Sequence, residues 1–569
     1  MAIDVNLKIE DCIKQNKNFI LEAGAGAGKT YTLIKTLNFL SKSDVCIKNK
    51  KDKNILCITY TNSAKDEINS RLKNKKNISI MTLHEFLWSF IASFQLDMKS
   101  IILNMIEDKK QDITKKVQSC NKILSSPKKN TNIEKKKQEL ANYTKKLSKL
   151  ENHRLDKNII QYKNYTSIEN GIISHDEIIY ISKELFTNEY FCNLFIDTFS
   201  HVFIDEYQDT DQSIMKIFLD SINSNKKEKY FVLGLFGDRM QQIYDKGIST
   251  VEADKYNFEK IEKPDNYRSC KEIINLSNLL RNDGFRQIKK ATDIELEKLE
   301  FIYNLSLDKY LKLNEEYKGY TKLFLTHSEI SKEVGFETIS NIFSSEYHQN
   351  ANDKLLKLED IFIQFVIDEI IYLIETYKNN EFKPILNSIR LKEFKQNDLE
   401  MLDKEINYII DNTSLSLRLF IEKFIELNVL DYKAYKKLYK IYEDKEKISF
   451  IERLLEVQVK EYINLYSQIK NNQGLYTLHK VKGEEFDHVI INIRSEQPWT
   501  KYNFKNLIEG IESTTKEKTQ KLLYVACTRA KKSLVINYIT DDNNKEKIKE
   551  IESRVNILMG KEIIFRINE

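Results

Sequence analysis

Apolar residues change their spacing several times along the chain, and each change marks a different kind of element. Phe19-Ile20-Leu21 is a short apolar run that enters a glycine-rich loop, and the stretch behind it, YTLIKTLNFLSK, reads as a helix. Asn54 to Thr59 (NILCIT) predicts a second strand, followed by the helical stretch SAKDEINSRL. The pattern resumes near His201 to Ile204 and near Tyr230 to Phe236. Alternating strand and helix predicts a parallel sheet with its ligands at the carboxyl ends of the strands. From Gly474 onward strands are expected again, at DHVIINI, LLYVACT and SLVINYI, so a second α/β unit closes the chain.

Two stretches interrupt this alternation. Ile113, Val117, Cys120 and Leu124 are spaced four, three and four apart, and after Ser125-Ser126-Pro127 a heptad-like series runs through Ile133, Leu140, Tyr143, Leu147 and Leu150. This predicts a helical hairpin with a narrow apolar seam. The remaining face is lysine-rich (Lys135, Lys136, Lys137, Lys145, Lys146, Lys149), which suits a solvated face or, beside a motor, a nucleic-acid contact. The second interruption, about 346 to 470, is helical throughout. Its most apolar part, Leu358 to Tyr377, carries Asp360, Asp368 and Glu369, which predicts a buried helix rather than a membrane span. The expected fold is therefore α/β, with two parallel-sheet domains and a mainly helical insertion in each. The first domain is expected at 1–95 and 181–262 with its insertion at 96–180. The second is expected at 263–345 and 470–569 with its insertion at 346–469.

Composition narrows the partners only a little. A net charge of +5 arises from 90 basic and 85 acidic residues, so any basic surface for nucleic acid must be local. Seven cysteines without a C-x-x-C pair and eight histidines without H-x-x-x-H spacing exclude a zinc or iron–sulfur site, and they suit reduced thiols. MAIDVNLKIEDCIKQNKN has no apolar stretch of signal-peptide type, so a cytoplasmic protein with no membrane partner is expected.

The chemistry begins at residues 23–30, AGAGAGKT, between a predicted strand and a predicted helix, which is the context a phosphate loop requires. Gly24, Gly26 and Gly28, interleaved with Ala23, Ala25 and Ala27, let backbone N–H groups approach phosphate oxygens. Ala23 stands where the usual motif has its first glycine. Lys29 is placed to reach the β- and γ-phosphates and Thr30 to bind Mg²⁺. HVFIDEYQDT, residues 201–210, supplies the complementary motif: Asp205 is positioned to hold Mg²⁺ through water, and Glu206 to accept the proton of an attacking water. Together the two motifs predict an NTPase.

DEYQDT also resembles the D-E-x-Q-D-T motif of the UvrD/Rep/PcrA group of superfamily 1 helicases, and further motifs of that group follow in order. TYTNSAKDEI (59–68) is similar to T-F-T-N-x-A-A-x-E-M, implying DNA contacts at Tyr60 and Asn62. TLHEFL (82–87) implies the same for Thr82 and His84. GDRMQQIY (237–244) implies that Gln241 senses the γ-phosphate and that Tyr244 faces DNA. NYRS (266–269) implies that Arg268 touches the γ-phosphate and that Tyr267 stacks on adenine. TLHKVKGEEF (477–486) implies that Thr477 and His479 face nucleic acid and Glu485 the nucleotide sugar. YVACTRA (524–530) implies that Arg529 is a second arginine finger.

The resemblance implies two RecA-like domains, ATP and Mg²⁺ as cofactors, and 3′→5′ movement on single-stranded DNA or a 3′-tailed duplex. Three departures stand out. The upstream glutamine that reads adenine has no counterpart, since Gln15 lies too close to the loop. Tyr31 replaces a common arginine and would sandwich the base opposite Tyr267. Asp245-Lys246-Gly247 replaces the tryptophan after I-Y. No nuclease-like carboxylate cluster follows residue 535, so DNA cleavage would fall to a separate subunit. In its compact size the chain is similar to the helicase-like subunit of the Gabija phage-defence system. The alternative function is a DNA-sensing NTPase subunit that activates a partner with little unwinding of its own. An inactive structural binder does not fit the presence of Lys29, Thr30, Asp205, Glu206, Gln241, Arg268 and Arg529.

Overall fold

Strands in the first half of the chain are β1 (Asn18–Ala23), β2 (Asn54–Thr59), β3 (Ile78–Thr82), β4 (Gln161–Tyr162), β5 (Ile172–Ile173), β6 (Phe199–Asp205), β7 (Val232–Gly237), β8 (Phe258–Lys263), β9 (Asp265–Asn266) and β10 (Ile288–Lys289). Six of them form a sheet in the order β3-β2-β6-β7-β1-β8, with every pairing parallel. The computed structural model describes residues 4–42, 54–72, 77–126, 133–155, 158–223, 229–244, 247–248, 251, 254–304, 316–347, 351–381, 383, 396–427, 429–430, 445–471, 474–496 and 501–568. It divides into two units, Met1–Ile294 and Glu295–Glu569.

In the first unit β6 and β7 are buried at every position, as expected of central strands covered on both faces. One face carries an aromatic core that includes Phe86, Phe195, Phe199 and Phe218, and the other carries Phe19, Phe203 and Phe236. Gly234 is required by this packing. A Cβ there would stand 2.5 Å from the Phe19 ring and 2.7 Å from that of Phe203. The register sets the strand ends level: Glu22 lies beside Gly237, Asp205 beside Phe236, and Thr59 beside Thr82. Every segment that follows these ends is thereby brought to one edge of the sheet.

The expected hairpin forms from helices Gln95–Ser125 and Ile133–Glu151. Of its seam residues Cys120 and Leu150 are buried, while Ile133 is exposed. Lys137, Lys145, Lys146 and Lys149 lie on the solvent side, and Lys136 pairs with Glu139. Pro127 and the Lys135 side chain lie outside the described residues.

In the second unit β11 (Lys298–Asn304), β12 (Thr321–Phe324), β13 (Leu475–Thr477), β14 (Phe486–Arg494), β15 (Ala530–Ile539) and β16 (Ile564–Asn568) form a second all-parallel sheet, in the order β13-β12-β14-β15-β11-β16. One sequence expectation fails here. LLYVACT is not a strand: it ends the helix Lys516–Cys527, in which Leu522 to Cys527 are all buried. A helix enclosed on every side has no polar face, so its apolar run carries no period to distinguish it from a buried strand. The inserted helices have their own core, including Phe343, Phe362, Phe420 and Phe450. The apolar stretch expected as one buried helix runs as Ile361–Phe365, a π-helical turn Val366–Ile371, and Tyr372–Lys378, with Ile363, Ile367, Ile370 and Ile374 all buried. Among the described residues no single helix is long and apolar enough to cross a membrane.

Candidate nucleotide and DNA site

The glycine-rich loop leaves β1 at Ala23 and enters a helix at Lys29. Gly26 (φ 72°) and Gly28 (φ 75°) hold left-handed backbone that a side chain would strain. At Gly26 a Cβ would also meet the Arg268 Cβ at 2.5 Å and the Asn266 Oδ1 at 2.8 Å. The NYRS segment is thus fastened to the loop. Tyr267 donates its backbone N–H to the Gly26 carbonyl at 2.9 Å, and Asn266 donates from Nδ2 to the Ala25 carbonyl at 3.0 Å. Gln287 donates to that same carbonyl at 2.8 Å. These bonds join residues 266, 267 and 287 to the loop within the unit Met1–Ile294.

Lys29 is buried and its Nζ stands 3.4 Å from Glu206 Oε1. Asp205 ends β6 and is also buried. Burial lifts its carboxyl to about 7, with the neighbouring Glu206 adding to the rise and Lys29 opposing it. Glu206 sits at φ 50°, a left-handed conformation that costs a non-glycine residue roughly 1–3 kcal/mol. Its carboxylate accepts from Gln208 Nε2 at 2.6 Å. On the neighbouring strand end, Gln241 is buried and donates to Asp238 Oδ2 at 2.8 Å. Thr30 occupies the first turn of the loop helix beside Lys29.

Beside the loop opens a cavity of about 1010 Å³, lined by Gly28, Tyr31, Tyr267 and the N-terminal residues Asp4, Asn6 and Lys8. Tyr31 and Tyr267, both on its wall, are 62% and 55% exposed. Gln15 caps the helix Val5–Lys14 and is absent from this lining. Lys263, which no motif singled out, also lines the cavity. It donates to Thr32 Oγ1 at 2.7 Å, and burial lowers its pKa.

The residues expected at DNA fall into separate groups. Tyr60 and Tyr244 meet face to face, with centroids 5.4 Å apart and ring planes at 25°. Asn62 is exposed at the start of the helix Asn62–Arg71. Thr82 caps the helix Leu83–Ile91, its hydroxyl accepting from the Glu85 N–H at 3.4 Å. His84 contacts the ring of His175 at 4.4 Å, and burial lowers its pKa. Asp245 and Lys246 lie outside the described residues.

In the second unit Thr477 ends β13 and is buried. His479 bonds to Tyr502 Oη at 2.9 Å, and burial lowers its pKa to about 4, helped by Lys501 and His327. Glu485 pairs with Lys531 at 2.9 Å. Arg529 is only 1% exposed. Its guanidinium donates to the carbonyls of Val525 and Glu484 at 2.9 and 3.0 Å.

A phosphate loop and a carboxylate pair at the ends of two strands of one parallel sheet, with β7 between them, define a phosphate-loop NTPase, and the second parallel sheet makes the chain a two-domain member of that class. The chain belongs to the UvrD-like helicases. Residues 6–264 match the UvrD/REP helicase N-terminal domain, and residues 309–541 match the UvrD-like helicase C-terminal domain. It is therefore an ATP-hydrolysing DNA helicase. Its relatives include the Gabija protein GajB of Bacillus cereus (strain HuB5-5), 27% identical over 96% of this chain and 97% of that protein. A second Gabija protein GajB, from B. cereus (strain VD045), is 25% identical over 98% and 99%. The ATP-dependent DNA helicase Rep of Buchnera aphidicola subsp. Schizaphis graminum is 24% identical over 91% and 90%.

Proposed function

We propose that the chain moves 3′→5′ along single-stranded DNA, with ATP hydrolysis coupled to closure of its two sheet domains. The observation that carries this reading is the shared sheet edge. Lys29 and Gln241 follow β1 and β7, Asp205 and Glu206 stand at the end of β6, and Tyr60 and Tyr244 follow β2 and β7, so the residues proposed for nucleotide and those proposed for DNA share one sheet edge.

In this reading Lys29 and Arg268 neutralise the transferring phosphoryl group, Gln241 senses it, and Glu206 takes the proton of the attacking water. Lys29 beside Glu206 keeps that carboxylate oriented until phosphate draws the lysine away. Thr30 and Asp205 are the residues that would hold Mg²⁺. Both are oxygen donors of the kind Mg²⁺ takes, and Asp205 adjoins a second carboxylate, Glu206, with Lys29 beside the pair. The bound ion would supply charge neutralisation at the phosphates. Tyr31 and Tyr267 would clasp the base, and Glu485 the sugar. Arg529 would act as the finger from the second domain, exchanging its carbonyl bonds for phosphate contacts. Tyr60 and Tyr244 would grip bases by stacking, with Asn62, Thr82, His84, Thr477 and His479 along the strand.

Strand displacement tests the direction. A 3′-tailed duplex should be unwound and a 5′-tailed one left intact, and the opposite preference would refute the assignment. A second reading is supported by the two GajB relatives, which match nearly end to end. In it the chain is the DNA-sensing subunit of a cytoplasmic phage-defence complex and activates a separate nuclease. Turnover stimulated by DNA without strand displacement would favour it.

A further inference from the structure

Arg281 lies in no motif, yet it occupies a decisive position behind the phosphate-sensing edge. It follows the helix Lys271–Leu280 and is 4% exposed. Its guanidinium clamps Asp283 with two bonds, Nε to Oδ1 at 3.0 Å and NH2 to Oδ2 at 2.6 Å. The third nitrogen reaches Asp238 Oδ1 at 3.0 Å. The ring of Phe285 covers the guanidinium at 4.6 Å. Such a planar three-sided grip is specific to arginine, because lysine offers a single point charge.

What Arg281 holds is the centre of a hydrogen-bond chain. Asp238 is fully buried, and its other carboxylate oxygen accepts from Gln241 Nε2 at 2.8 Å. Its backbone N–H donates to Gln208 Oε1 at 3.2 Å, and Gln208 Nε2 donates to Glu206 Oε2 at 2.6 Å. Both ends of the Gln208 amide are thereby committed. The guanidinium thus fixes the Asp238 carboxylate, which holds Gln241, while the backbone N–H of the same residue holds Gln208 and, through it, Glu206. Removing the guanidinium would leave Asp238 as a buried carboxylate without this cation, loosening its hold on Gln241 although Oδ1 still accepts from the Met240 N–H at 3.1 Å.

We propose that Arg281 is a positioning residue for ATP hydrolysis: by clamping the Asp238 carboxylate it aligns Gln241, beside the backbone bond that links Asp238 through Gln208 to Glu206. The proposal rests on the roles given above to Glu206 and Gln241. Arg281 is buried and belongs to neither the phosphate loop nor the residues proposed for DNA, so its loss should lower the rate of the chemical step and spare ATP binding.

The test uses the full chain with saturating single-stranded DNA, measuring kcat and KM for ATP in R281M, Q241A and the double variant. R281M should lower kcat about 10- to 100-fold with KM within about threefold of wild type. Q241A should cost a similar factor alone and less than about twofold on top of R281M, because one alignment cannot be lost twice. A purely structural defect would instead multiply with Q241A. Wild-type kcat in R281M, or multiplying effects, would overturn the proposal. E206Q serves as a separate control: full turnover there would refute the reading of the site itself, whatever Arg281 does. If R281M does not fold, D283N removes one side of the clamp while keeping Arg281. It should lower kcat several-fold without adding to Q241A, and wild-type kcat would overturn the proposal equally.

Discussion

At the scale of single residues, the site depends on a few side chains whose surroundings leave them little choice. Lys29 is buried against Glu206, so Lys29→Ala removes both the cation beside that carboxylate and the group meant for the phosphates. ATP hydrolysis should fall to background, and normal turnover in that variant would displace the site. Glu206→Gln keeps the shape and the neighbouring Gln208 but cannot accept a proton. It should bind ATP normally and turn over about 100- to 10,000-fold more slowly. His479 gives a pH signature. Its folded pKa of about 4 lies below the ordinary histidine value near 6.5, so the unfolded chain binds a proton that the folded chain excludes. Its contribution to stability is complete above 6.5 and is lost as pH falls towards 4. His479→Gln should show a shallower fall in melting temperature over that window than wild type, and an equal fall would show that another group dominates.

At the scale of elements, the parallel sheet explains why so much of the site is legible in the sequence. A strand ending in a glycine-rich loop, and another ending in two carboxylates, carry both their structure and their chemistry in consecutive residues. The partners that complete them do not. Asn266 and Gln287 meet Ala25 across more than 200 residues, and Arg281 reaches Asp238 through folding alone. Nothing local marks such contacts. The buried helix ending in LLYVACT reads as a strand for a related reason: full enclosure erases the polar face that reveals a helix. The absent adenine-reading glutamine has no counterpart in the cavity beside the loop, which Asp4, Asn6 and Lys8 line instead. Two elements offer tests of DNA binding. Tyr60→Ala or Tyr244→Ala should weaken single-strand binding about 5- to 150-fold, the equivalent of about 1–3 kcal/mol of stacking. Changing Lys137, Lys145, Lys146 and Lys149 to Gln should flatten the salt dependence of binding by about 0.7 for each phosphate no longer neutralised. An unchanged slope would return that helix to a plain solvated face.

At the scale of the whole molecule, two parallel sheets of the same design stand in one chain, each interrupted by helices, and those inserted in the second have their own core. The glycine-rich loop, the carboxylates and Gln241 belong to the first unit, and Arg529 to the second. In the proposed cycle a finger in the other unit makes hydrolysis conditional on closure, and DNA gripped at the first sheet's edge makes closure a step. Arg529→Ala should therefore slow DNA-stimulated turnover far more than it weakens ATP binding.

The central claim is that ATP hydrolysis here is coupled to DNA, and the most direct test is the hydrolysis rate of the purified chain with and without single-stranded DNA. The account predicts strong stimulation that disappears in Lys29→Ala. Hydrolysis indifferent to DNA would contradict it.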